Sequence, residues 1–223
     1  MVRVVPLLIL AAGCNPSLRI QVLQPSLVTS PPEIQQLTVV DRSRAKNVGQ
    51  GILGALEGAI TGEAIGADTN GRSRAMTAVV TGLRASPRFD AAETWAARKD
   101  LESSLFDKEL SWAGAQRICE DSGCQGIVAL EAFDSDSSTD VDKRIVERVV
   151  DGKKVKETVY DAQRVTRVTT AWRYYDVVHQ QVLDDLRTFD SSYTWTESGP
   201  TERDARSKLP DQGASVAYVG AIA

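Results

Sequence analysis

The chain has 223 residues, 42% of them hydrophobic and 25% charged, with 26 basic against 30 acidic side chains and a net charge of −4 at neutral pH. That apolar content can fill the core of one domain with an appendage, and it excludes a chain too polar to fold. No basic block occurs, so the electrostatic footprint of a nucleic-acid binder is missing and no nucleic-acid partner is expected.

The first segment, MVRVVPLLILAAGCNPS, places one positive charge at Arg3, an apolar run from Val4 to Ala12, and small residues before Cys14. That order is a secretory signal, and the run is well short of the ~20 residues a membrane-spanning helix needs. Ala11-Ala12-Gly13-Cys14 resembles the lipobox of bacterial lipoproteins, with Ala11 where that pattern usually has leucine. The resemblance implies that residues 1–13 are a lipoprotein signal peptide and that Cys14 becomes the acylated first residue. Asn15, which is not aspartate, then implies sorting to the outer membrane, on its periplasmic or surface face. The competing reading is an ordinary cleaved signal with an incidental cysteine.

Residues 14–36 read as an extended tether with prolines at 16, 25, 31 and 32, and Leu18 to Leu23 alternate as a short edge strand might. The domain is expected over 37–199. Leu37-Thr38-Val39-Val40 reads as a buried strand, Arg72 to Ser86 as a helix with Ala75, Met76, Val79, Val80 and Leu83 on one face, and Phe89 to Thr94 as a strand. A second helix is expected over Glu109 to Ser122, with Leu110, Ala113, Ile118 and Cys119 inward and Gly123 as its stop. Gly126 to Phe133 reads as a strand, and Asp134 to Asp142 as an acidic loop. Two hairpins follow. Lys143 to Val150 and Lys153 to Tyr160 flank the Asp151-Gly152 turn, and Val165 to Val178 and Val182 to Trp195 flank His179-Gln180-Gln181. The expected class is α+β, a mostly antiparallel sheet with helices on one face and a C-terminal β-meander. The tail, residues 200–223, reads as two helical pieces and ends on an apolar run without a polar cap, so truncation of a longer chain is an expectation.

Three patterns raise questions of chemistry. Glycines recur every fourth residue at Gly54, Gly58, Gly62 and Gly66, a stripe that lets backbones approach closely. The stripe is expected to pack between the first strand and the first long helix; the alternatives are a partner surface or a glycine-zipper oligomer acting on the membrane. Gly49-Gln50-Gly51-Ile52-Leu53-Gly54 satisfies a dinucleotide-loop spacing, but it begins well beyond the strand end where phosphate would meet helix amides. Asp134-Ser135-Asp136 opens like a calcium loop but lacks the mid-loop glycine and places Ile145 where the twelfth-position acid belongs.

The one histidine, His179, falls in a hairpin turn, so no Ser/His/Asp or Cys/His arrangement has a base. No catalytic residue, metal or cofactor is expected. Cys119 and Cys124 are open to two readings, a disulfide or two buried thiols. Trp172, Tyr174, Tyr175, Tyr193 and Trp195 form an aromatic set that either packs across strands or meets a peptide or glycan.

The segments VLQPSLVTSPPEIQQLTVVDRS, LEGAITGEAIGADTNGR, and IVALEAFDSDS followed by AWRYYDVVHQQVLDD together resemble an uncharacterised family of bacterial lipoproteins. More remotely, the order of elements resembles the periplasmic domain of curli-secretion-channel lipoproteins and of the lipoprotein activators of penicillin-binding proteins. The resemblance implies a location and a fold but no chemistry: a non-enzymatic binding or envelope-assembly component with an envelope protein as partner, of unstated oligomeric state.

Overall fold

The computed structural model describes residues 28–43, 67–94 and 108–223. In chain order they form β1 (Gln36–Asp41), α1 (Ala67–Arg84), β2 (Asp90–Thr94), α2 (Trp112–Ser122), β3 (Gly126–Val150), β4 (Lys153–Asp176), β5 (Gln181–Gly199), α3 (Glu202–Lys208) and α4 (Gln212–Gly220). The five strands make one sheet in the order β2-β1-β3-β4-β5. β1 runs parallel to both β2 and β3, and the long β3, β4 and β5 form an antiparallel meander. The α+β class and the mostly antiparallel sheet are as the sequence leads one to expect.

The helices do not all cover one face, and this corrects the expected layering. Leu37 and Val39 of β1 pack with Ala75, Met76 and Val80 of α1, whereas Val40 packs with Ala115, Ile118 and Cys119 of α2. Successive strand side chains point to opposite faces, so a strand apolar at consecutive positions must be covered twice. α3 and α4 join α1 on its face, through Ala205 and Leu209 against Ala162 and through Val216 and Val219 against Val168. α1 and α4 cross backbone on backbone: a Cβ on Gly220 would stand 2.8 Å from the Gly71 carbonyl oxygen. Glycine is what permits that approach.

α2 begins at Trp112 rather than Glu109, because the Ser111 hydroxyl accepts the Gly114 amide as an N-cap, and it ends on left-handed Gly123. The shift turns Ala113 outward and Ala115 into the core, while Leu110 is buried just ahead of the helix. α1 starts earlier than expected, at Ala67.

The expected acidic loop, Asp134 to Asp142, is strand. β3 continues unbroken through it to Val150, in register with β4. Ser135, Ser137, Thr139 and Val141 face the helix side, and Asp134, Asp136, Asp140 and Asp142 line the exposed side. The two short strands expected after Lys153 are likewise one, β4. Asp151 and Gly152 turn the first hairpin with φ of 49° and 75°, as a two-residue turn with positive φ at both positions requires. β5 ends opposite Tyr160, so Lys143–Val150 and Lys153–Val159 extend beyond it as a two-stranded ribbon. The C-terminal residues do form two helices, as expected. No described helix is long and apolar enough to cross a membrane.

Candidate binding cleft and buried ion cluster

On the α1 face a cleft of about 240 Å³ opens where the lead into β1 crosses the sheet. Leu37, Val128 and Trp172 form its floor, Leu83 and Phe89 its wall, and Val28 and Ser30 its edge. The lead is pinned there. The Ser30 and Tyr174 hydroxyls lie 2.7 Å apart, and the Arg88 guanidinium donates to the Ser30 and Pro31 carbonyls at 2.5 and 2.6 Å while lying over the Phe89 ring. Burial pushes the Tyr174 hydroxyl above its ordinary pKa, against the pull of the Ser30 hydrogen bond, so it stays neutral. Small-molecule sites usually offer ~300–1,000 Å³. This smaller, mostly apolar recess, which Arg173, Tyr174 and Asp184 also line, suits one aliphatic or aromatic side chain, or a length of acyl chain.

The opposite face holds a buried ion cluster. Arg42, just past the end of β1, donates from Nη1 to Glu131 Oε1 at 2.6 Å and to the Tyr175 hydroxyl at 2.9 Å, and from Nη2 to the Lys108 carbonyl at 2.9 Å. Tyr175 donates to Glu131 Oε1 at 2.9 Å and accepts the Leu110 amide at 3.0 Å. Arg173 Nη1 stands 3.6 Å from Glu131 Oε1, and its Nε donates to Asp185 at 2.7 Å. Arg42 and Glu131 are each 1% exposed, and Tyr175 is fully buried.

Glu131 reaches this face by alternation with Ile127 and Ala129, and the β3–β4 register shift between Leu130 and Ala132 then turns Phe133 and Ser135 to the α1 face. Burial raises the Tyr175 pKa, although hydrogen bonds from Arg173 and Leu110 oppose the rise. Burial works to discharge Arg173, but its bonds to Tyr175 and Asp185 outweigh it and hold the guanidinium charged. The cluster fastens β1, β3, β4 and the segment before α2. Glu131 Oε1 faces two guanidiniums and a phenol, while its Oε2 is buried without a hydrogen-bond partner among the described residues; the composition is that of a structural latch.

His179 lies in the β4–β5 turn, where the sequence places it. Its Nδ1 is 2.7 Å from Asp176 and its Nε2 3.2 Å from Glu33, so it ties the lead to the turn. The Asp176 hydrogen bond, with the Glu33 charge, raises its pKa despite some desolvation. Among the described residues no hydroxyl or thiol is hydrogen-bonded to it. Nor, among them, does any group of three or more His, Cys, Asp or Glu side chains lie together as metal ligands would.

The other sequence candidates separate. Cys119 and Cys124 are joined as a disulfide at the C-terminal end of α2. Cys14, Gly54, Gly58, Gly62 and Gly66, with the Gly49 to Gly54 pattern, lie outside the described residues. The aromatic set divides three ways: Trp172 and Tyr174 line the cleft, Tyr175 belongs to the ion cluster, and Tyr193 and Trp195 stack with Tyr218 of α4 at ring separations of 4.6 to 5.7 Å. Arg42, Arg88 and Glu131 are functional-looking residues the sequence reading did not single out. The one signal for Glu131 was a lone acid inside the apolar run from Gly126 to Phe133.

Residues 34–223 match the model of a family described as a domain of unknown function, DUF8603. The chain belongs to that family. No curated protein matches it. Among solved structures it is similar to a PelC dodecamer from Paraburkholderia phytofirmans, at 13% identity over 88% of this chain and 91% of that one, with a TM-score of 0.29. It is also similar to the hypothetical protein CT253 from Chlamydia trachomatis, at 12% identity over 71% and 72% of the two chains, with a TM-score of 0.30. Likenesses at these scores carry no argument about function.

Proposed function

We propose that this DUF8603 chain is an outer-membrane lipoprotein whose α+β domain is a non-enzymatic binding or assembly component of the cell envelope. The observation that carries the reading is the distance between anchor and cleft in sequence. Val28, at the edge of the cleft, lies fourteen residues beyond the lipobox cysteine Cys14. Even fully extended at ~3.3–3.6 Å per residue, that tether keeps the cleft within about 50 Å of an acylated Cys14. An apolar recess so placed suits an apolar side chain of another envelope protein, and it contains no nucleophile and base in contact. The single histidine lies in the β4–β5 turn between two carboxylates, with no hydroxyl or thiol bonded to it among the described residues.

Palmitate labelling and membrane fractionation of the full chain test the anchor. The wild type is expected to take up label and sediment with outer membrane, and Cys14→Ser to lose both. A Cys14→Ser protein that partitions as the wild type does would overturn the proposal.

A further inference from the structure

Beyond Leu130, where its pairing with β1 ends, β3 is paired on one side only among the described residues. Among the described residues no strand covers its outer edge from Ala132 to Val150. An uncovered edge is a template for another strand, and proteins usually protect such edges with charge. Charge of one sign along an edge repels a second copy. Here the signs are segregated instead: Asp136 and Asp140 lie in the first half, Arg144 and Arg148 in the second, at four-residue intervals symmetric about Asp142.

The geometry points to a homodimer in which two copies pair antiparallel along this edge, with the two-fold axis through Asp142. In that register Asp140 stands opposite Arg144 of the second copy and Asp136 opposite its Arg148. The symmetry repeats both, as in any isologous interface. All four residues are an even number of positions apart, so they project from one face, and all are exposed. Directly opposed charges of unlike sign stabilise antiparallel strands, and four such pairs stand against one like-charge pair, Asp142 with its copy at the axis.

The lengths agree as well. The Asp151-Gly152 turn of one copy comes level with Ala132 and Phe133 of the other, just past Leu130 where β1 takes up the edge. Arg144 already meets Asp161, and Arg148 meets Glu157 at 3.4 Å, but both guanidiniums are more than half exposed. A guanidinium fork has donors enough for a second carboxylate. Asp136 and Asp140 have no ion pair within 4 Å among the described residues; Asp136 stands opposite Arg167 of β4 and Asp140 opposite Gln163, and the register adds an arginine to each. The interface also shields Ile145 and Val149, which are 66% and 70% exposed on the ribbon.

Light scattering on the full chain carrying Cys14→Ser, which removes the acyl anchor from the measurement, tests the inference. The expected mass is twice that of one chain. Asp136→Arg with Asp140→Arg is expected to weaken association at least about tenfold, given cross-strand pairs that change from attractive to repulsive. Adding Arg144→Asp and Arg148→Asp to that variant restores complementarity and the dimer. The register is read separately, by a short bismaleimide: Asp142→Cys places the two thiols together at the axis and cross-links, whereas Ser138→Cys does not. A single-chain mass across the concentration series, a dimer indifferent to the two arginines, or cross-linking at position 138 equal to that at 142 would overturn it.

Discussion

The two halves of β3 do different work within one strand. Gly126 to Leu130 are held between β1 and β4 with helices on both faces, and Ile127, Ala129, Leu130 and the adjoining Glu131 are essentially inaccessible. Among the described residues Lys143 to Val150 have one neighbouring strand and no helix over either face, and Ile145, Val149 and Val150 are more than half exposed. The backbone geometry is the same and the energetics are not. Burial of apolar side chains anchors the base of the strand, while an isolated two-stranded ribbon is marginal by itself in water. The base therefore carries the fold, and the ribbon is free to carry an interaction.

Substitutions that separate the two halves should differ by several kilocalories. The largest effect is expected at Glu131→Leu, which leaves Arg42 and Arg173 buried beside each other without their shared carboxylate. Removing one partner from a buried ion pair costs about 3–5 kcal/mol, readable from urea unfolding. A loss below about 1 kcal/mol would mean the cluster is better hydrated than its burial implies. Leu130→Ala, in the same base, should cost about 2–5 kcal/mol as a core truncation.

Replacing Cys119 and Cys124 together by alanine opens a bridge between residues five apart in sequence. The chain-entropy cost of so short a loop is about 2 kcal/mol, and the same unfolding curves should show it.

Smaller still is the pH dependence of the His179 latch. The Asp176 hydrogen bond raises the His179 pKa, so its contribution is complete below about 6.5 and fades as pH rises through the raised folded-state value. Burial pushes Asp176 up, but hydrogen bonds from His179 and Gln181 pull its pKa below the ordinary value. Its contribution is present above about 3.9 and fades as pH falls through that lowered value. Thermal stability should thus form a plateau between about pH 4 and 6.5, and Asp176→Asn should flatten both shoulders. The smallest effect is expected in the ribbon, where Ile145→Ala should stay within about 0.5 kcal/mol as an exposed substitution. A cost at Ile145 matching that at Leu130 would break the comparison.

Much of this arrangement could be read in the chain beforehand, and what escaped did so for identifiable reasons. The alternation around Asp151-Gly152 and the capped apolar face of α2 are local signals, and they identified the hairpin and the helix. Asp134 to Asp142 looked like a loop because Asp and Ser favour turns. The segment is strand because Ser135, Ser137 and Thr139 keep a period of two toward the helices, and β4 supplies the partner. Coverage of both sheet faces was implicit in Leu37-Thr38-Val39-Val40, whose apolar positions include both parities. The ion cluster had no short-range signature, since Arg42 and Glu131 are 89 residues apart and meet only through β1–β3 pairing. The cleft depends in the same way on Ser30 reaching Tyr174 across 144 residues.

Residue-resolved hydrogen exchange tests the division of labour most directly. In dilute protein, below the concentration at which copies associate, the β3 amides bonded to β4 between Gly126 and Leu130 should exchange only through global unfolding. Those bonded to β4 between Lys143 and Val150 should exchange orders of magnitude faster. Raising the concentration should then protect the outward amides of residues 134–150 and leave the base unchanged. Ribbon amides as slow as those of the base in dilute protein would contradict the account.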